Sequence, residues 1–204
     1  MSEFTKVWNG KPAGVPAAMV EVLCVVGRRV FKYIYSYIWS RNVARCGGNL
    51  RIHPSVVMRN PSAISFGENI SIDSGSIIST EFMDSVVSIG DDTHIGQDVL
   101  LDFSGDLVIG KNVVISAGVI SQTHDHGYYP KSRPSKKSLI IANGVWLATR
   151  AVVLAGVNRI GENSIVAAGS VVTREVADNV IVAGNPAKVI ANRVEGVGIE
   201  NINI

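Results

Sequence analysis

The sequence predicts a mainly β fold of short stacked strands, with an α-helical extension before it and one long loop thrown out of it. Three observations carry the prediction. A six-residue rhythm runs from Phe66 to Val171. A denser apolar pattern fills residues 15–41. The rhythm stops at Ser121, and it resumes at Ile141 after the stretch SQTHDHGYYPKSRPSKKS.

Composition sets the limits. A chain of 204 residues makes one domain, or one domain with an extension, and is long enough to bury a core. Hydrophobic residues make up 47% and charged residues 18%, which argues against disorder. Few aromatics and 20 glycines suit tight turns around a Val and Ile core. A net charge of +2 gives no global pull toward nucleic acid, so none is expected as a partner. Cys24 and Cys46 form neither a disulfide scaffold nor a zinc pattern. They fit a cytoplasmic chain. No secretory leader opens the sequence, and no run of apolar residues is long enough to span a bilayer.

Residues 1–14 read as a loose arm. Residues 15–41 read as a helix: Pro16 suits a first turn, and Ala17 to Leu23 tolerate helix well. Gly27 weakens it, and the alternation of Phe31, Tyr33, Tyr35, Tyr37 and Trp39 also fits a strand. Arg28, Arg29 and Lys32 among these aromatics suit a helix lying on the inner face of a membrane. The plainer expectation is a helix packed on the body or on a neighbouring subunit. The predicted divisions are 1–50 for arm and helix, 51–192 for the repeats with their loop at 121–138, and 193–204 for a tail.

Written in sixes, the chain reads IGDDTH, IGQDVL, IGKNVV, ISAGVI, then IANGVW, LATRAV, VLAGVN, IGENSI, VAAGSV. FGENIS and IDSGSI begin the series less cleanly. A large aliphatic stands first, from Ile89 to Val166. A small or β-branched residue stands fifth, and Gly, Asn or Asp is frequent fourth. This period excludes the 3.6-residue helix, and the recurring turn residues exclude long strands. It predicts coils whose first and fifth residues line a narrow interior, stable only when stacked.

The loop THDH, the segment IIANGVWLATRAVVLAGVNRIGENSIVAAGSVVT and the close AGNPAKVI resemble the hexapeptide-repeat acyltransferases over about residues 50–192. The likeness is greatest to the small sugar O-acetyltransferases: galactoside, maltose and nodulation-type enzymes, and those of bacterial surface polysaccharides. The resemblance implies a left-handed parallel β-helix of triangular section, acetyl-CoA as co-substrate, no required metal, and a homotrimer with active sites between subunits. It implies transfer of acetyl to a sugar hydroxyl, with a surface glycan or its precursor as acceptor.

Such transfer needs a base for the hydroxyl proton, and histidine titrates near neutrality. The sequence holds four histidines. His53 precedes Pro54 at the start of the coil, and His94 falls on a turn position. His124 and His126 lie in the loop that breaks the rhythm, where function concentrates. The resemblance places the catalytic base on His124, with His126 as its rival. A metal reading of the two histidines lacks further well-spaced ligands. Asp102 and Asp106 precede the loop by about one coil and are candidates to orient the ring or grip the acceptor, with Asp125 a third. The resemblance further assigns coenzyme A contacts to Trp146, Thr149, Ala168, Thr173, Arg174 and Lys188. Leu147, Ala148 and Thr149 stand where the family commonly has Ile-Gly-Ser, and Ala191 stands where it often has a basic residue. The basic residues Lys131, Arg133, Lys136 and Lys137 offer other phosphate partners. Two alternatives remain: N-acetyl transfer to an amine, or a β-helix serving as a binding scaffold.

Overall fold

The computed structural model describes residues 17–129 and 131–193, with the side chains of residues 17–24 and of Arg28 excepted. The predicted arm over 1–14, the side chain of Cys24 and the tail from 194 onward lie outside the described residues. The chain winds as a parallel β-solenoid of about seven turns, consistent with a left-handed β-helix. Its strands are mostly two or three residues long and stack into three parallel faces. The first face runs from Arg45–Cys46 to Arg159–Ile160. The second begins at Arg51–Ile52, and the third ends at Val171–Val172.

The hexads explain the winding. All nine first-position residues and all nine fifth-position residues are buried, forming a continuous column. The fourth residue of every hexad has positive φ: Asp92, Asp98, Asn112, Gly118, Gly144, Arg150, Gly156, Asn163 and Gly169. Gly, Asn and Asp enter the left-handed region at little cost. Arg150, at φ 58, is the exception in type. The second position is small in every hexad but one, which has Leu154, and at its glycines the next coil lies directly against it. A Cβ on Gly90 would come within 2.7 Å of the Gly110 main chain.

The solenoid begins earlier than the predicted residue 51. Arg45–Cys46 already pairs with Ser65–Phe66 in register. At the other end, Val180–Gly184 and Ala187–Asn192 form an antiparallel hairpin on the second face. Arg193 then donates to the carbonyls of Gly144 and Asn163 at 3.1 and 3.0 Å, binding this end to two earlier coils.

Helix α1 (Ala17–Asn42) covers the first coil. Its contacts recur every three or four residues, which settles the helix against the strand pattern. Tyr35 donates to the Val56 carbonyl at 3.0 Å, and buried Ser36 accepts from the Ile52 N–H at 2.8 Å. Tyr35 and Trp39 meet edge to face at 6.0 Å, and both pack on the core with Val43. Phe31, Tyr33, Ile34, Tyr37 and Ile38 remain exposed on the outer side. Among the described residues no helix is long and apolar enough to cross a membrane.

Two substitutions test the winding rule by denaturant unfolding. Gly90→Val forces two coils apart and lowers stability by about 1–3 kcal/mol. Asn112→Val costs about 1–2 kcal/mol through its left-handed backbone, whereas Asn112→Gly costs less. Equal midpoints for the two Asn112 variants would count against the rule.

Candidate active site

The predicted loop leaves the solenoid at a corner between the third and first faces. The ladder does not register its departure, because Leu107–Ile109 pairs directly with Leu139–Ile141 across it. The base of the loop is itself a short antiparallel pair, His124–Asp125 with Ser135–Lys136. Below it sits Gly105, where a Cβ would lie 2.5 Å from the Lys137 carbonyl oxygen and 2.6 Å from that of Thr123. Only glycine leaves room for both arms of the loop to converge there.

This convergence fixes His124. Its Nδ1 lies 2.8 Å from Oδ2 of Asp102, which ends the third-face strand Leu100–Asp102 of the same coil as Gly105 and one coil before the loop. Asp102 is buried and well supplied with donors. Ser104 donates through Oγ at 2.5 Å and through its N–H at 3.1 Å, and the Thr123 N–H donates at 2.7 Å. Burial pushes the Asp102 carboxyl up, but the bonds from Ser104, Thr123 and His124 outweigh it and hold the group below its ordinary value. Asp102 is therefore a carboxylate, which can only accept. Nδ1 of His124 must carry the hydrogen, and the lone pair of the neutral ring is left on Nε2, at the partly exposed side.

Sequence reasoning missed the residues facing that nitrogen. Nε2 lies 3.7 Å from Oε1 of Glu81. Glu81 belongs to residues 80–86, a second place where the hexads break, between Ile77–Ser79 and Val87–Ile89. The signal was present in TEFMDS, which carries no aliphatic at the expected spacing. The Glu81 N–H donates to Ser104 Oγ at 2.9 Å, so the hydroxyl that orients Asp102 also positions this segment. Lys136 ties the loop to the same segment, reaching Asp84 at 2.6 Å and lying 4.9 Å above the Phe82 ring. The His126 ring stands edge-on to that of His124, with centroids 5.2 Å apart, and its Nδ1 bonds the Ser132 carbonyl at 3.1 Å.

The other candidates are placed elsewhere. Asp106 is exposed, and its carboxylate accepts from the Val86 N–H at 3.1 Å. It does not meet His124. Asp125 accepts from the Gly127 N–H at 2.7 Å and shapes the turn. His53 bonds Ser55, and His94 bonds Ser71 on the second face, neither at the loop.

The residues assigned to coenzyme A divide into three groups. Thr149 and Ala168 line one depression of about 620 Å³, together with Asp98, Ala117, Gly118, Arg150 and Gly169. Half-exposed Trp146 stands on the adjoining second face and donates to Ser116 Oγ at 2.9 Å. Thr173 and Arg174 follow the third-face strand Val171–Val172, and Lys188 lies on the terminal hairpin; all three are exposed. Arg150 was not foreseen. The depression lies where the second face turns into the third, whereas His124 lies where the third turns into the first. The width of a face separates them within one chain.

No family model matches the chain. It is 34% identical to the galactoside O-acetyltransferase of Escherichia coli strain K12 over 113 residues, which are 50% of this chain and 55% of the relative. It is 29% identical to the putative lipopolysaccharide biosynthesis O-acetyl transferase WbbJ of the same strain over 146 residues, 65% of this chain and 74% of the relative. The matched region spans little more than half the length of several such relatives. Among solved structures, the N-acyltransferase AntD of Bacillus cereus, in complex with dTDP and 3-hydroxybutyryl-CoA, superposes with a TM-score of 0.70 at 24% identity. That match covers 78% of this chain and 87% of AntD, and it shows a shared fold.

Replacing Asp102 by Asn should alter the ring it holds. Nitrogen NMR of the native protein should find the His124 hydrogen on Nδ1, facing Asp102, and Asp102→Asn should remove that preference. The variant also loses about 1–3 kcal/mol, because one of the two oxygens that serve the buried donors is replaced by an NH2 that can only donate. The Asp102 pKa is depressed on folding. Its contribution is therefore complete above the unfolded carboxylate value of about 4 and is lost as pH falls through the lower folded value. The stability gap between native and variant protein narrows accordingly on acidification.

Proposed function

We infer, from homologues that are hexapeptide-repeat acetyltransferases, that this chain is an acetyl-CoA-dependent O-acetyltransferase acting on a sugar hydroxyl. The acceptor class follows from the relatives, a galactoside enzyme and a lipopolysaccharide enzyme, and is a surface glycan or its precursor. The observation that carries the reading is the bond from His124 Nδ1 to buried Asp102, which leaves the lone pair of the neutral ring on Nε2, at the base of the loop beside Glu81.

In this mechanism Nε2 takes the proton of the acceptor hydroxyl as its oxygen bonds to the acetyl carbonyl carbon. The carbon–sulfur bond then breaks, and the proton passes from Nε2 to the coenzyme A thiolate. Asp102 stabilises the ring while it is cationic and prevents it from turning. His126 forms a wall beside the acceptor. The acyl-CoA arm lies along the depression at Thr149 and Ala168, next to Trp146. Arg150, Arg174 and Lys188 supply cations to its phosphates. The separation of His124 from that depression by a face of the prism favours a site completed by a neighbouring copy. A homotrimer satisfies this, since three copies can present three such pairings.

The same base serves an amine acceptor, and product analysis separates ester from amide. The decisive experiment measures coenzyme A release with acetyl-CoA and a panel of glycan acceptors. His124→Ala lowers turnover roughly 100- to 10,000-fold while acetyl-CoA binding by calorimetry persists. Full turnover in that variant would overturn the assignment, and loss confined to His126→Ala would move the base to His126.

A further inference from the structure

We propose that Glu81, His124 and His126 form a binding site for a zinc-type divalent cation, and that its occupancy shuts off the base. One ligand atom from each of the three lies within 4.8 Å of the others. Both imidazoles are prepared in the way metal-ligating histidines usually are. The second ring nitrogen of a ligating histidine commonly donates to a carboxylate or a main-chain carbonyl, which fixes the tautomer and raises ligand basicity. His124 has Asp102 in that role at 2.8 Å, and His126 has the Ser132 carbonyl at 3.1 Å. Nε2 is the lone-pair nitrogen left to each ring. The third donor, Glu81, is exposed, and its main chain is held to Ser104.

The dimensions fit. A tetrahedral zinc ion with bonds of about 2.0–2.1 Å holds its donors roughly 3.3 Å apart. His124 Nε2 and Glu81 Oε1 are already 3.7 Å apart. A small movement of the Glu81 side chain and of the loop bearing His126 closes the set. Two imidazoles and one carboxylate select zinc over magnesium or calcium, which require oxygen donors. Three protein ligands leave a fourth position for water. The metal would take the Nε2 lone pair that acetyl transfer uses. That inhibitory consequence rests on the functional reading above, whereas the binding itself does not.

The full-length chain, stripped with chelator, is dialysed against zinc, and bound metal is counted. One zinc per chain is expected, with a rise in Tm on zinc addition and none with magnesium. Glu81→Gln and His126→Gln should each weaken binding by at least about 10- to 100-fold, the range known for supporting residues alone. In parallel, zinc should inhibit coenzyme A release, and chelator should restore it. Absence of binding, or binding in both variants as tight as in the native chain, overturns the site whatever the activity. Variant-sensitive binding to a chain that transfers no acetyl group keeps the site and overturns the functional reading. Variant-sensitive binding without inhibition overturns the shut-off.

Discussion

Main chains in neighbouring coils pair only when they lie about 4.8 Å apart, and the turns must return the chain to that distance after each circuit of about 20 residues. The hexads are the chemical form of this constraint. An aliphatic residue fills the interior, a small residue lets the next coil approach, and a residue tolerant of positive φ turns the corner. Where the next main chain lies within 3 Å of a would-be Cβ, as at Gly90 and Gly161, the side chain is simply absent. No coil can satisfy the constraint alone, so stability is shared along the stack. The two ends carry the cost of unpaired edges. Helix α1 covers one end, and the terminal hairpin and Arg193 secure the other.

The periodic part of this architecture was legible in the residues because periodicity is a local property. Phe66, Ile72 and the nine later hexads placed the column, and the left-handed turns followed from Asp92, Asn112 or Gly118. The start at Arg45 was less visible, since CGGNLR has a cysteine where later coils carry a large apolar residue, and IHPSVV has His and Pro after its aliphatic residue. Tyr35, Ser36 and Trp39 reveal the helix only through what they touch.

The candidate site was legible to the depth of one coil. Stacking brings residues about 20 apart side by side, so Asp102 could be suspected beside the loop; Leu101 pairs with Ser121, and the next residues must meet. Asp106 was equally eligible by spacing. Its separation from His124 depends on which way the corner turns, and spacing does not encode that. Glu81 lies two coils away in sequence, in a break too short to attract notice. Ser104 was overlooked for the opposite reason, as a small polar residue in a turn, yet its single hydroxyl supports both Asp102 and the Glu81 segment.

The rooting of the loop has a wider consequence. His124 is held at the base by Asp102, Thr123 and Gly105, while the ladder closes beneath it as though nothing had been inserted. The side chains of Tyr128 and Tyr129, both exposed, take no part in that base. Each doubling of a flexible loop costs only about 0.6 kcal/mol. The tip at Tyr128 and Tyr129 can lengthen, shorten or change character over evolutionary time. Such drift would leave the scaffold and the poised nitrogen as they are, making this corner a place where selectivity can diverge independently of chemistry.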